Sequence, residues 1–248
     1  MIPIKNASDL ELMRQAGAIL ARIMVKLQEY VKPGITTAQI NEYAEELMRT
    51  ERVLAAFKGY RGYPASICTS VNEVVVHGIP GERKLLEGDL ISLDAGIIHQ
   101  GVFSDAAVTV GVGKISAKIK KLIDITRQAL NEGIRQMQVD NRLTDIAAAV
   151  QSCVERNGFS VVRQFVGHGI GRAMHEEPEI PNFGKPHRGP LLKPGMVFAI
   201  EPMVNLGTWE CEILEDGWTA VTLDRQHSAH FEHTVALTDS GPQLLTAY

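Results

Sequence analysis

The stretch GDLISLDAGIIHQGVFSDAAVTV, residues 88–110, decides how the chain folds. Two apolar runs flank a short polar centre at His99-Gln100, and each run carries one acid, Asp94 and Asp105. β-Branched residues on both sides of a turn signal read as a β-hairpin. With His99-Gln100 at the tip, residue i pairs with 199 − i, and Asp94 falls opposite Asp105. Directly opposed side chains lie roughly 4.5–5.5 Å apart on one face, where like charges are destabilising. Either the pair faces solvent on an edge hairpin, or a cation sits between the acids. The apolar neighbours favour the cation.

The wording of this hairpin returns farther along. GDLISLD (88–94) and GMVFAIE (195–201) each place an acid six residues after a glycine, at the end of an apolar run. LLEGD and LLKPG lead into them, and HGIP (77–80) and HGIG (168–171) lie upstream. Leu10, Met13, Gly17, Leu20, Met24 and Leu27 recur at helical spacing after a capping-box pattern at Ser8–Glu11. Thr36 and Gln39 form a second box, opening a helix over 37–51. Residues 65–112 read as strands, 116–137 and 144–157 as helices, the latter stopped by Gly158, and strands return from about 160. Helix, helix, strands is thus written twice. This order predicts a single α+β domain over 1–248, with pseudo-twofold-related αβ halves of about 1–115 and 116–248.

A chain of 248 residues, 45% of them hydrophobic, can bury a large core. A net charge of −4 without a basic stretch argues against nucleic acid as the primary substrate. Cys68, Cys153 and Cys211 are odd in number and far apart. They speak against a disulfide frame or a zinc knuckle and predict a reducing, cytoplasmic setting. The first residues lack a signal-peptide pattern, and no apolar run is long enough to span a bilayer.

VGHGIGRAMHEEP, residues 166–178, puts His168 and His175 seven apart among glycines, with neither strand nor helix periodicity. Such histidines are either solvated loop side chains or groups that bind metal or move protons near neutral pH. Two further acids repeat the puzzle of the first pair. Glu201 ends MVFAIE before Pro202, and Glu232 lies in the alternating AHFEHTVAL. Four acids at strand ends with one imidazole make a donor set that suits Mn, Fe(II), Co or Zn. Four carboxylates are neutralised by two divalent cations. Two such ions roughly 3.5–4 Å apart activate water and polarise a carbonyl.

Six segments now stand together: YRGYPASICTSVNEVVVHGIP, LDAG with FSDAA, GHGIGRAMHEEP, LKPGMVFAIEPMV, EDGWTAVTLD and HSAHFEHTVALT. In order and over essentially the whole chain, they resemble the type I methionine aminopeptidases. The resemblance implies a pita-bread fold around a curved antiparallel sheet. It implies a dinuclear metallo-exopeptidase that removes initiator methionine before a small second residue, by attack of metal-activated water on the scissile carbonyl. Asp94, Asp105, His168, Glu201 and Glu232 would be the metal ligands. Asp105 and Glu232 would bridge, Asp94 would complete one site, and His168 with Glu201 the other. Glu201 would also serve as general acid/base. His175 would hydrogen-bond the scissile carbonyl or its oxyanion, and His77 would contact substrate and help the leaving amide. Tyr60, Tyr63, Cys68 and Trp218 match the methionine pocket and its rim, with Phe57 and Met174 at two further pocket positions. An apolar, polarizable lining suits a thioether. The implied partners are peptide and nascent-chain N-termini, met by a monomer. Ribosome contact would fit co-translational action, but no basic tail argues for it.

The chain departs from the family pattern at several places. Ser104 stands where glycine is common, Ala95 and Gly96 where valine and threonine are, and His230 where glutamine is. A second KPG, expected near 138–140, reads QVD. Spacings of 33 residues from His168 to Glu201 and 31 from Glu201 to Glu232 leave no room for a type II insertion. Xaa-Pro aminopeptidases and prolidases share the fold and the ligands but carry an extra N-terminal domain. A pita-bread binding module would have lost the ligands, and a metal-free amidinohydrolase fares no better. His99, His187, His227 and His233 read as solvated or as outer neighbours of the site, and Cys153 and Cys211 as buried apolar residues.

Overall fold

The computed structural model describes residues 1–247. Its helices are α1 (Ala7–Tyr30), α2 (Thr37–Thr50), α3 (Ala117–Arg135) and α4 (Leu143–Glu155). Buried positions recur at three- and four-residue steps, as in Met13, Ala16, Leu20, Met24 and Leu27 of α1, so each helix turns one apolar stripe inward. The Thr36–Gln39 box forms as written, with Thr36 Oγ1 accepting from Gln39 N at 3.2 Å and Gln39 Oε1 from Thr36 N at 2.8 Å. The Ser8–Glu11 box does not form. Helix α1 starts at Ala7, capped by Asn6, whose Oδ1 accepts from Asp9 N at 2.9 Å. Asparagine caps as well as serine, and Glu11 pairs with Arg14 on the exposed face instead. In the turn that reads QVD, Asp140 takes the positive φ of 67° that glycine would otherwise supply. Aspartate tolerates that region better than most residues.

The main sheet is antiparallel throughout. Its order is Leu54–Ala55, Leu90–His99, Val102–Gly111, Glu232–Thr238, Val197–Ile200, Gly167–Gly169 and Glu176–Ile180. Cys68–Val71 also pairs with Leu90–His99, and Gly241–Leu244 with Glu232–Thr238. Two three-stranded sheets flank it. One hydrophobic cluster joins Leu20 and Met24 of α1, Leu122 and Leu130 of α3 and Val150 of α4 to Leu93, Ala106 and Val235 of the sheet. No described helix is long and apolar enough to cross a membrane.

The central hairpin forms, but its register corrects the expected one. Asp94 pairs with Ala107 and Asp105 with Gly96, so partners sum to 201 rather than 199. The tip is Gln100-Gly101, both at positive φ (49° and 78°). A two-residue turn of this hand takes glycine second, which draws Gly101 into the tip. A shift of two keeps every side chain on its face, whereas a shift of one would reverse them all. Asp94 and Asp105 therefore share a face but sit diagonally.

Candidate metal centre

Five side chains converge from separate strands. Asp94 and Asp105 come from the two arms of the hairpin, and Glu232 pairs with Ala107 beside them. His168 pairs with Ala199, and Glu201 follows the strand that ends at Ile200. The glycines around His168 give room for this packing. A Cβ at Gly167 would meet Ala199 O at 2.4 Å, and one at Gly169 would meet Glu177 O at 2.2 Å.

The donor atoms face one another. His168 Nδ1 lies 2.9 Å from Gly169 O. A carbonyl only accepts, so Nδ1 carries the proton and the Nε2 lone pair is free for a cation. Nε2 is 3.5 Å from Glu201 Oε1 and 3.9 Å from Asp105 Oδ2. Ligand-capable atoms of Asp105, His168 and Glu232 lie within 4.8 Å of one another, as do those of Glu201, His230 and Glu232. Asp94 Oδ1, Asp105 Oδ1 and Glu232 Oε1 are buried without a hydrogen-bond partner. Orphaned buried carboxylate oxygens are costly, and convergent ones fit divalent cations.

Burial sets the protonation of this cluster. It pushes the Asp94 carboxyl up to about 7 and that of Glu201 up to about 8. Asp105 and Glu232 are raised by burial and then by their neighbours' charges. His168 is pushed down to about 4, again by burial. Without metal the site therefore holds protons that an unfolded chain releases. From pH 6.5 to 8 stability should fall, because the unfolded carboxyls are already ionised while the folded ones still hold protons. The buried imidazoles act in the opposite sense, but only below pH 6.5. Cations replace the protons and remove the dependence. Melting of the metal-free protein is expected to drop by several degrees from pH 6.5 to 8.5, while that of the metal-loaded protein holds. Parallel calorimetric curves for the two forms would contradict a shared carboxylate–cation site.

Residues 11–239 match the model of metallopeptidase family M24. The chain belongs to that family. It is 53% identical over 246 residues to a methionine aminopeptidase of Clostridium perfringens, covering 99% of each chain. A methionine aminopeptidase structure from Thermotoga maritima superposes with a TM-score of 0.98 at 44% identity, over 100% of both chains. A prolidase from Pyrococcus furiosus, at 21% identity and a TM-score of 0.78 over 65% of its length, shares the fold. These neighbours make the architecture pita-bread α+β.

The M24 chain gathers all of its expected site residues in one cavity of ≈ 180 Å³. Phe57, Tyr60, Tyr63, Cys68, His77, Met174, His175 and Trp218 line it together with Asp94, Asp105, His168, Glu201 and Glu232. His77, at a φ of 60°, stands edge-on to Phe165 and Trp218. His175 sits at the mouth with Nδ1 2.7 Å from the Tyr60 hydroxyl and its ring 4.3 Å from that of His168. Tyr63 donates to Gly78 O at 3.1 Å and meets Trp218 edge-on at 5.1 Å.

His99, His187, His227 and His233 lie outside the lining, and Cys153 and Cys211 are buried elsewhere. The sequence reading did not place Arg61 in the site, and it marked His230 only as a departure from the family pattern. Arg61 reaches the mouth, and its place between Tyr60 and Tyr63 in the chain was the available signal. His230 Nε2 comes 3.6 Å from Glu201 Oε2. Its place two residues before Glu232, on the same side of an alternating strand, was the available signal.

Proposed function

We propose that the chain is a dinuclear metallo-aminopeptidase that removes N-terminal methionine from peptides and nascent chains whose second residue is small. The observation that carries this reading is the junction of two chemistries in one cavity. An apolar, sulfur-tolerant wall of Phe57, Tyr63, Cys68, Met174 and Trp218 opens onto the carboxylate–imidazole cluster. Divalent cations held by Asp94, Asp105, His168, Glu201 and Glu232 would supply a Lewis acid and a water acidic enough to be deprotonated near neutral pH. Mn, Fe(II), Co and Zn all suit this donor set.

The chain's own groups do the rest. Glu201 takes the proton of the attacking water and delivers it to the leaving nitrogen, a role open to a carboxylate that lies beside the other donor atoms. With the Tyr60 hydroxyl as donor to His175 Nδ1, 2.7 Å away, His175 Nε2–H is left to donate to the substrate carbonyl as it gains charge. His77, pushed down to about 4 by burial, stays neutral and hydrogen-bonds the scissile amide. The three unpaired cysteines support a cytoplasmic setting.

Turnover of Met-Ala-Ser by chelator-treated protein, before and after addition of each metal, tests the reading. Metal-dependent release of methionine, absent in Asp105→Asn, is expected. Release only from an Xaa-Pro peptide would replace the reading with a prolidase.

The pocket also explains Gly96. A Cβ there would lie 2.7 Å from Phe57 Cε1 and 3.2 Å from Met174 Cε. Those side chains occupy the volume that threonine would take. Gly96→Thr is expected to raise KM for Met-Ala-Ser about 10-fold with a smaller change in kcat, the mark of lost uniform binding. Adding Phe57→Ala should recover most of the loss, since contacting residues couple. Additive losses would remove Phe57 from the methionine pocket.

A further inference from the structure

We propose that His230 is a further metal ligand of this centre, binding through Nε2 a cation shared with Glu201 and Glu232. The inference rests on the metallopeptidase reading and extends the donor set beyond the five residues that the family resemblance implies.

The imidazole is only 2% exposed, and its Nε2 has no hydrogen-bond partner. An unsatisfied buried polar nitrogen costs about 1–3 kcal/mol. It points at Glu201 Oε2 from 3.6 Å, too far for a hydrogen bond. Two ligand atoms each about 2.0–2.2 Å from one cation, seen at a tetrahedral angle, lie about 3.4 Å apart. The separation thus fits a shared ion better than a direct bond. His168 Nε2, which the same donor-set argument assigns to a metal, stands at a similar 3.5 Å from the other oxygen of Glu201. The two imidazoles therefore approach Glu201 from its two oxygens.

The backbone beneath His230 is held in place. Thr109 Oγ1 accepts from His230 N at 2.8 Å and donates to His230 O at 2.7 Å. Its single proton is then committed, so Ser92 Oγ donates to Thr109 Oγ1, at 2.7 Å. All three residues are buried. Pairing of His230 with Met203 completes the brace. A ring carried on so fixed a strand presents Nε2 to the carboxylates without reordering of the backbone on binding. A second nitrogen donor in an oxygen-rich site favours Co and Zn over Mn.

Calorimetric titration of the metal-stripped protein with Co²⁺ and Mn²⁺ tests this, with His230→Gln and His168→Asn alongside and circular dichroism as the fold control. His230→Gln is expected to weaken Co²⁺ roughly 10–100-fold, Mn²⁺ less, and to alter the visible absorption of bound Co²⁺. X-ray absorption of Co²⁺-loaded wild-type protein, which needs no variant, should count two imidazoles per filled centre. Wild-type affinities and spectrum in His230→Gln, or one imidazole in the wild type, would overturn the proposal while leaving His168-dependent binding intact. No metal binding by the wild type would instead overturn the metallopeptidase reading itself, and the proposal with it.

Discussion

Exchanging Glu201 for glutamine is expected to abolish nearly all turnover while making the metal-free protein more heat-stable. General acid–base catalysis contributes roughly 10²–10⁴-fold, and an amide can neither take nor return a proton. A kcat loss of about 10⁴-fold at saturating metal follows, with KM changed little because the methionine wall lies on other residues. Stability moves the other way. Burial holds the Glu201 carboxyl above its ordinary range, and repulsion by its charge adds to the burial that raises Asp94, Asp105 and Glu232. Removing one ionisable member relieves that repulsion without changing shape. Above pH 8, where the carboxyl must ionise in the wild type, the metal-free variant should therefore melt higher. Reduced activity with reduced metal-free stability would point to misfolding, and unchanged kcat would take the proton transfer away from Glu201. The expected trade is that of a site whose stability is sacrificed to function.

The same opposition explains what could be read in the sequence. Acids at the ends of apolar strands are locally unfavourable, so Asp94, Asp105, Glu201 and Glu232 stand out against their neighbours in the chain. All four line one cavity. The helices were legible because their buried residues repeat at a helical period, and α2, α3 and α4 end within about two residues of expectation. Choices between near-equal local alternatives were not. Asn6 and Ser8 are equally good caps, and neighbouring residues do not rank them. The hairpin tip could take His99-Gln100 or Gln100-Gly101 until the backbone hand required of a two-residue turn is applied.

Pairings between distant segments were less accessible still. The missing side chains of the glycines beside His168 make room for Ala199 and Glu177 backbone. That neighbour relation is set by strand order, which local periodicity does not contain. His230 is the sharper case. Alternation places it on the side of Glu232, yet a lone buried histidine is ordinarily a satisfied one. Only the approach of Glu201 from another strand shows that its Nε2 has no conventional partner.

Truncating His175 to alanine is expected to lower kcat by roughly 10²–10³-fold, the loss typical of one oxyanion donor, while metal affinity stays within a few-fold. The ring touches His168 but contributes no atom to either group of ligand-capable side chains. Its Nδ1 is engaged by Tyr60 at 2.7 Å, so Nε2 is the atom left for substrate. Partial desolvation and then the nearby Arg61 charge hold the imidazole below its ordinary range, which keeps it a neutral donor near pH 7. The side chain is exposed at the cavity mouth, so folding stability should move by less than about 0.5 kcal/mol. Tyr60→Phe supplies the discriminating comparison. It keeps the ring of His175 and removes the hydroxyl that selects the tautomer, so kcat should fall by less than in His175→Ala. If the Tyr60 variant is the more damaged, the phenol itself meets the substrate and His175 serves to orient it. If neither kcat changes, carbonyl stabilisation comes from the cations alone, and the two histidines of the 166–178 segment do not share the reaction.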